Sequence, residues 1–136
     1  MTGLGATLST FPSFVVYFSL GGLLTALFVL LYAELTPHRE ITLIRDGNSA
    51  AAIALVGALL GFVVPLASVI AHSAALIDVV AWGVIALIVQ LAGFLLARML
   101  LPHLPQAIAS GNIADAVVLA GISLALGILT AAFMAG

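Results

Sequence analysis

Four long apolar runs divide this chain of 136 residues. They cover residues 14–33, 49–70, 79–97 and 113–134. A helix rises about 1.5 Å per residue, so about 20 residues cross the hydrocarbon core of a bilayer. Backbone groups in lipid must pair within their own segment, and the runs lack the alternation of barrel strands. The sequence therefore predicts an all-α integral membrane protein with four transmembrane helices.

Charge is too scarce to cover a water-facing surface. Hydrophobic residues make up 65% of the chain and charged residues 6%, against roughly 45–50% and about 25% in soluble domains. The net charge of −2 does not indicate a basic surface that would bind nucleic acid. The chain has no cysteine, which excludes disulfides and thiolate metal sites. The lipid bilayer is the first partner that this composition predicts.

Polar residues gather in two segments between the runs, which we call the elbows. The first elbow, residues 36–48, reads TPHREITLIRDGN, and the second elbow, residues 101–112, reads LPHLPQAIASGN. Both contain Pro-His near the start and end in Gly-Asn. We interpret residues 1–136 as one membrane domain of two parallel two-helix repeats, at about 12–72 and 73–136. Each repeat has an even number of spans, so the axis relating them should follow the membrane normal.

The first elbow is predicted to hold a short helix on the membrane surface. Thr36 can cap a helix that begins at Pro37, and Ile41 and Ile44 lie on one face of it. The polar side chains of this elbow are those of His38, Arg39, Glu40, Arg45 and Asp46.

The Gly-Asn pairs predict how each elbow ends. Gly47 suits the left-handed residue that stops a helix, and Asn48 then caps the next span. Gly111 and Asn112 repeat the arrangement before the fourth span. Asp115 lies near the positive end of that span, which favours a carboxylate.

The arginines predict the orientation. Arg39 and Arg45 lie in the first elbow and Arg98 adjoins the second, whereas loop 71–78 and both termini have none. By the positive-inside rule the elbows are cytoplasmic and both termini periplasmic. The aromatic side chains expected at the interfaces are Tyr17 and Trp82 outside and Tyr32 inside.

Glu34 and Arg98 are the first candidate site residues. They occupy equivalent places in the two repeats, so we expect an ion pair; a carboxylate facing a cavity or pore and an exposed interfacial residue are the alternatives. His38 follows Glu34 by four positions, but Pro37 interrupts the helix and two ligands are too few for a metal. No metal or cofactor is predicted.

Four other polar residues allow two interpretations each. His72 and Asp78 either form a proton-sensitive pair or are an interfacial side chain and a helix cap. Gln90 either bonds a neighbouring helix or lines a permeation path. Asp115 either belongs to a site or is explained by its position at a helix start.

Small residues recur at four-residue spacing in every run, which favours close helix approach. The pairs are Gly22–Ala26, Gly57–Gly61, Gly93–Ala97 and Gly121–Ala125. The sequence has no lysine, no nucleophile elbow and no phosphate-binding loop. An enzyme is therefore not predicted.

Three segments resemble a bacterial family known as domain of unknown function 350. They are residues 36–68, 71–83 and 101–116, which cover most of the chain after the first run. The resemblance implies a four-helix inner-membrane protein and brings no catalytic or binding residues. Members are often encoded near membrane-remodelling proteins related to phage-shock protein A and near ATP-grasp ligases, which implies an envelope-associated partner.

Two functions fit these observations. The first is a membrane scaffold, expected to be a homo-oligomer, whose elbows recruit a peripheral cytoplasmic protein. The second is an oligomeric channel or transporter for an ion or small solute, with Thr25, Glu34, Gln90 and Asp115 as the lining candidates.

Overall fold

A computed structural model describes residues 3–35, 40–72 and 75–135 of the chain. These residues form helices α1 (Gly3–Leu35), α2 (Glu40–Arg45), α3 (Ser49–His72), α4 (Leu76–Leu100), α5 (Leu104–Ala109) and α6 (Ile113–Ala135), and the described part of the chain contains no strand. Helices α1, α3, α4 and α6 are long and apolar enough to cross a membrane. The predicted all-α fold with four spans is confirmed.

The first span is longer than the apolar run predicted. The run covers 14–33, whereas α1 has 33 residues and includes Pro12, a length of about 50 Å against a hydrocarbon core of about 30 Å. Ser9, Thr10 and Pro12 lower the apolar content at its start without ending the helix. The apolar run therefore predicted a helix start at residue 14, whereas the helix begins at Gly3.

Helices α3 and α6 form the centre of the bundle and run parallel. Gly57 packs against Ala120, and the Ser68 hydroxyl donates a hydrogen bond to the Ala131 carbonyl at 3.3 Å. Both pairs lie 63 positions apart along the chain, so the two helices run in the same direction with matching ends. Two units related by an axis along the membrane normal would also make α3 and α6 parallel, and the repeat itself stays a prediction.

Glycine makes this contact possible. A Cβ on Gly61 would overlap the Ser123 backbone, and a Cβ on Gly127 would overlap the backbone of Gly61. Of the four small-residue pairs, Gly57–Gly61 therefore serves the α3–α6 contact. Cβ atoms added at Gly22 or Gly121 would meet nothing within 4 Å, so those two positions are open.

Helix α1 is the least buried span and attaches to the bundle through aromatic side chains. The rings of Phe28 and Phe62 stack with centroids 4.6 Å apart. The rings of Tyr32 and Phe94 lie at a steep angle to each other, with centroids 5.8 Å apart. Tyr32 is only 1% exposed. Tyr32 therefore packs against other aromatic rings inside the bundle and does not face lipid as an aromatic belt residue would. Its position near the inner interface stays a prediction.

Both elbows end in the same backbone hydrogen bonds. Gly47 and Gly111 are left-handed, with φ of 88° and 87°. The Asn48 N–H donates to the Leu43 carbonyl at 2.9 Å, and its counterpart in the second elbow donates to Ala107 at 2.8 Å. These are the bonds of a Schellman ending. The predicted role of the two glycines is confirmed.

The short helix predicted in the first elbow is present as α2, and its place on the membrane surface stays a prediction. Leu43 and Ile44 pack against the core, whereas Ile41 is 46% exposed. The predicted cap at Thr36 and start at Pro37 lie outside the described residues.

Candidate functional site

Asn48 joins the two elbows. Its Oδ1 accepts a hydrogen bond from the Ala51 N–H at 3.1 Å and caps α3, as predicted. Its Nδ2 donates to the carbonyls of Ile108 and Ala109, at 2.9 and 3.1 Å. Asn112 makes the equivalent cap, accepting from the Asp115 N–H at 3.3 Å. The sequence predicted both caps and missed the bridge, because nothing in it shows that the elbows lie side by side.

Buried apolar side chains hold the second elbow in place for this bridge. Leu104 and Ile108 of α5 are fully buried. Pro105 lies in the first turn of the helix, where proline is favoured. The Ile108 and Ala109 carbonyls belong to the last turn of α5, where helical acceptors lack intrahelical donors, and the Ile108 carbonyl also accepts from the Gly111 N–H at 3.0 Å. The Asn48 amide supplies donors for both.

A cavity of about 470 Å³, which we call the elbow pocket, lies between the two elbows. Its lining residues are Leu43, Asp46, Gly47, Asn48, Ser49, Ala109, Ser110, Gly111 and Ile113. Asp46 is the one charged residue in this lining. We call the exposed side chains of Arg45, Asp46, Ser49 and Ser110 the elbow face. His38, Arg39 and the side chain of Glu40 lie outside the described part of the structure.

Glu34 and Arg98 do not form the expected ion pair among the described residues. Both side chains are exposed. Arg98 follows the fully buried Ala97 and is turned about 100° away from the core, and Glu34 lies about 200° around α1 from the buried Tyr32. Helix geometry therefore places both charges on outer surfaces of the bundle.

The residues at the opposite end of the bundle have local roles. His72 donates from Nδ1 to the Ser68 carbonyl of its own helix at 2.8 Å. Asp78 lies in the first turn of α4, and the cap residue is Ala75. The expectation that Asp78 is the cap is wrong, because α4 begins at Leu76. Asp78 instead lies where the helix dipole favours a carboxylate.

Gln90 is buried at the centre of the bundle, with 2% of its surface exposed. Its Nε2 donates to the Ser123 carbonyl of α6 at 3.0 Å, as the interhelical interpretation predicts. The amide passes over Gly61, where a Cβ would lie 2.8 Å from Nε2. The Oε1 atom is buried and has no hydrogen-bond partner among the described residues.

Substitution of Gln90 tests this bond. We expect Gln90→Leu to lower the free energy of unfolding by only about 0.6 kcal/mol, because the lost bond is partly offset by removal of the unpaired Oε1. Gln90→Asn should lower it by about 2 kcal/mol, because the shorter side chain cannot reach Ser123 and leaves a buried amide unsatisfied. Unfolding in mixed micelles measures both. A leucine variant less stable than the asparagine variant would contradict this account.

The remaining polar candidates do not converge on one centre. Thr25 donates to the Gly21 carbonyl of its own helix at 2.7 Å, and Asp115 lies at the start of α6. Among the described side chains, no group of three His, Asp or Glu residues is placed to hold a metal ion. The arrangement offers hydrogen bonding and an exposed polar surface.

Four apolar spans and two short surface elbows define a small polytopic helical membrane protein. The chain belongs to the Domain of Unknown Function (DUF350) family, whose model matches residues 6–134. It is 38% identical over 127 residues to the UPF0719 inner membrane protein YjfL of Escherichia coli strain K12, covering 93% of this chain and 96% of that protein. The same values relate it to YjfL of E. coli O157:H7. No solved structure matches.

These comparisons confirm the resemblance predicted from the elbows. With relatives of the inner membrane and four apolar spans, the chain is a multi-pass inner-membrane protein.

Proposed function

We propose that this protein is a membrane-embedded docking protein whose elbow face binds a peripheral protein in the cytoplasm. The bridge made by Asn48 carries the proposal. Because its amide bonds the carbonyls of Ile108 and Ala109, polar groups of both elbows are held in one arrangement. A preorganised surface loses less conformational entropy when a partner binds.

The charges of the elbow face suit a protein partner. Arg45 and Asp46 are adjacent, exposed and of opposite sign. Mixed charge of this kind favours specific pairing with a complementary surface over general attraction to an anionic membrane. The arginine bias favours the cytoplasm for this face.

The geometry supports a channel less well. Two of the four lining candidates, Thr25 and Gln90, donate their hydrogen bonds to carbonyls inside the bundle. The other two, Glu34 and Asp115, lie near helix ends. A permeation path would therefore have to form between several copies of the chain.

In-cell photocrosslinking tests the docking function. A photoreactive amino acid at Ser110, on the elbow face, should give one discrete adduct with a cytoplasmic protein. The same residue at Ala71, exposed at the other end of the bundle, should give none. We expect Asn48→Ala to reduce the Ser110 adduct about tenfold, because the loss of about 1.4 kcal/mol of preorganisation changes affinity by that factor.

Asn112→Ala serves as the matched control, since it removes a cap and leaves the bridge intact. The adduct should persist in that variant. Equal adducts from Ser110 and Ala71, or no Ser110 adduct at normal protein levels, would contradict the docking function.

A further inference from the structure

A groove runs along one side of α3 and α6, beginning next to the elbow pocket. Its apolar part has a volume of about 460 Å³, and its lining includes Val56 and Leu60 of α3 and Val117 and Leu124 of α6. Ser49 and Ile113, which line the elbow pocket, lie one helical turn before Ile53 and Val117 on the same faces. The polar pocket and the apolar groove therefore lie end to end along the same helix faces, and we call the two together the depression.

The length of this depression matches one leaflet. The apolar lining on α3 extends from Ala52 to Leu60, a rise of about 12 Å, and half of the hydrocarbon core is about 15 Å. Its polar part lies at the elbows and its apolar part extends to the middle of the bilayer. This is the profile of a lipid molecule in the leaflet on the elbow side.

The small residues of α6 create the space for an acyl chain. A Cβ on Gly121, which lines the groove, would meet nothing within 4 Å. Ala120 and Gly57, which pack against each other, form the floor of the groove beside it. An acyl chain in this position would contact both central helices of the bundle.

The polar end favours one kind of headgroup. Asp46 is the one charged residue of the described pocket lining, which contains no lysine or arginine. A carboxylate attracts an ammonium group and repels an anionic headgroup. The N–H groups of the first turns of α3 and α6 that the asparagine caps leave without an acceptor lie at the same end and suit the adjoining phosphate.

We propose that the α3–α6 groove and the elbow pocket together bind a zwitterionic lipid with an ammonium headgroup, seated in the leaflet on the elbow side. The ammonium group pairs with Asp46, and one acyl chain fills the space over Gly121. The elbow pocket shares Asp46, Ser49 and Ser110 with the elbow face, but the test below measures lipid retention alone and does not depend on a protein partner.

Native mass spectrometry of the full chain tests the proposal. The protein is released from nanodiscs that contain equal amounts of dioleoyl phosphatidylethanolamine and dioleoyl phosphatidylglycerol. We expect phosphatidylethanolamine to be retained about threefold over phosphatidylglycerol, the factor that an exposed ion pair supplies. Asp46→Asn should abolish the preference without affecting the fold, because the side chain is exposed.

A second variant tests the groove itself. Gly121→Leu should fill it and reduce retention of both lipids, whereas Gly22→Leu, at an open position on α1, should leave retention unchanged. Equal retention of the two lipids by the wild type, or unchanged retention in Gly121→Leu, would overturn the proposal. So would a wild-type dimer that Gly121→Leu converts to a monomer, because the groove would then hold a second copy of the chain.

Discussion

Gly127→Ala is expected to lower the free energy of unfolding by about 3 kcal/mol, because the added Cβ would overlap the backbone of Gly61. Backbone atoms cannot rotate aside as a flexible side chain can. The two central helices must separate, which also weakens the contact of Gly57 with Ala120. Unfolding by dodecyl sulfate in mixed micelles, followed by circular dichroism, measures the loss.

Gly121→Ala is the matched control on the same helix. Its Cβ would meet nothing within 4 Å, and alanine is favoured over glycine in a helix by about 1 kcal/mol. We therefore expect the two substitutions, six positions apart, to change stability in opposite directions. Equal effects at both positions would show that α3 and α6 do not meet at this face.

Asn48→Ala is the second substitution with a large expected effect. It removes the cap of α3, worth about 1 kcal/mol, and both hydrogen bonds to the second elbow, worth about 1 kcal/mol each at most. We expect a total loss of about 2–3 kcal/mol in the free energy of unfolding. The same micelle titration measures it.

Asn112→Ala separates the cap from the bridge. It removes only a cap, so we expect a loss of about 1 kcal/mol. Asn48→Asp adds a second test, because a carboxylate keeps the cap and cannot donate to the Ile108 and Ala109 carbonyls. If Asn48→Ala and Asn112→Ala were equally destabilising, the bridge would contribute nothing.

Local properties of this fold were predictable from the sequence. Span number depends on the length of apolar runs, and the ends of the elbows depend on Gly47 and Gly111, whose left-handed conformation glycine adopts without strain. Each of these features is encoded within a few neighbouring residues. The two asparagine caps were predictable for the same reason.

The contacts between spans were not predictable in this way. Each span is apolar on all sides, because lipid and protein neighbours are equally apolar, so periodicity does not mark the buried face. The buried face of each span decides that Tyr32 is buried and that Arg98 is exposed. For the same reason Arg98 does not form the expected ion pair with Glu34. The pair Gly57–Gly61 indicated close helix packing in the sequence, whereas no pattern marked Ser123 or Gly127 as its contacts.

The bridge from Asn48 to the second elbow was missed for a related reason. Its two partners are 60 and 61 positions away along the chain. Two similar elbows do not by themselves show that they are neighbours in space. The parallel packing of α3 on α6 brings them together.

Cysteine accessibility tests most directly whether the elbow face is available to a cytoplasmic protein. Because the chain has no cysteine, Ser110→Cys and Ala71→Cys each contain one thiol. We predict that a membrane-impermeant maleimide labels Ala71→Cys in spheroplasts and labels Ser110→Cys only in inverted membrane vesicles. Labelling of Ser110→Cys in intact spheroplasts would place the elbows in the periplasm and contradict the docking function.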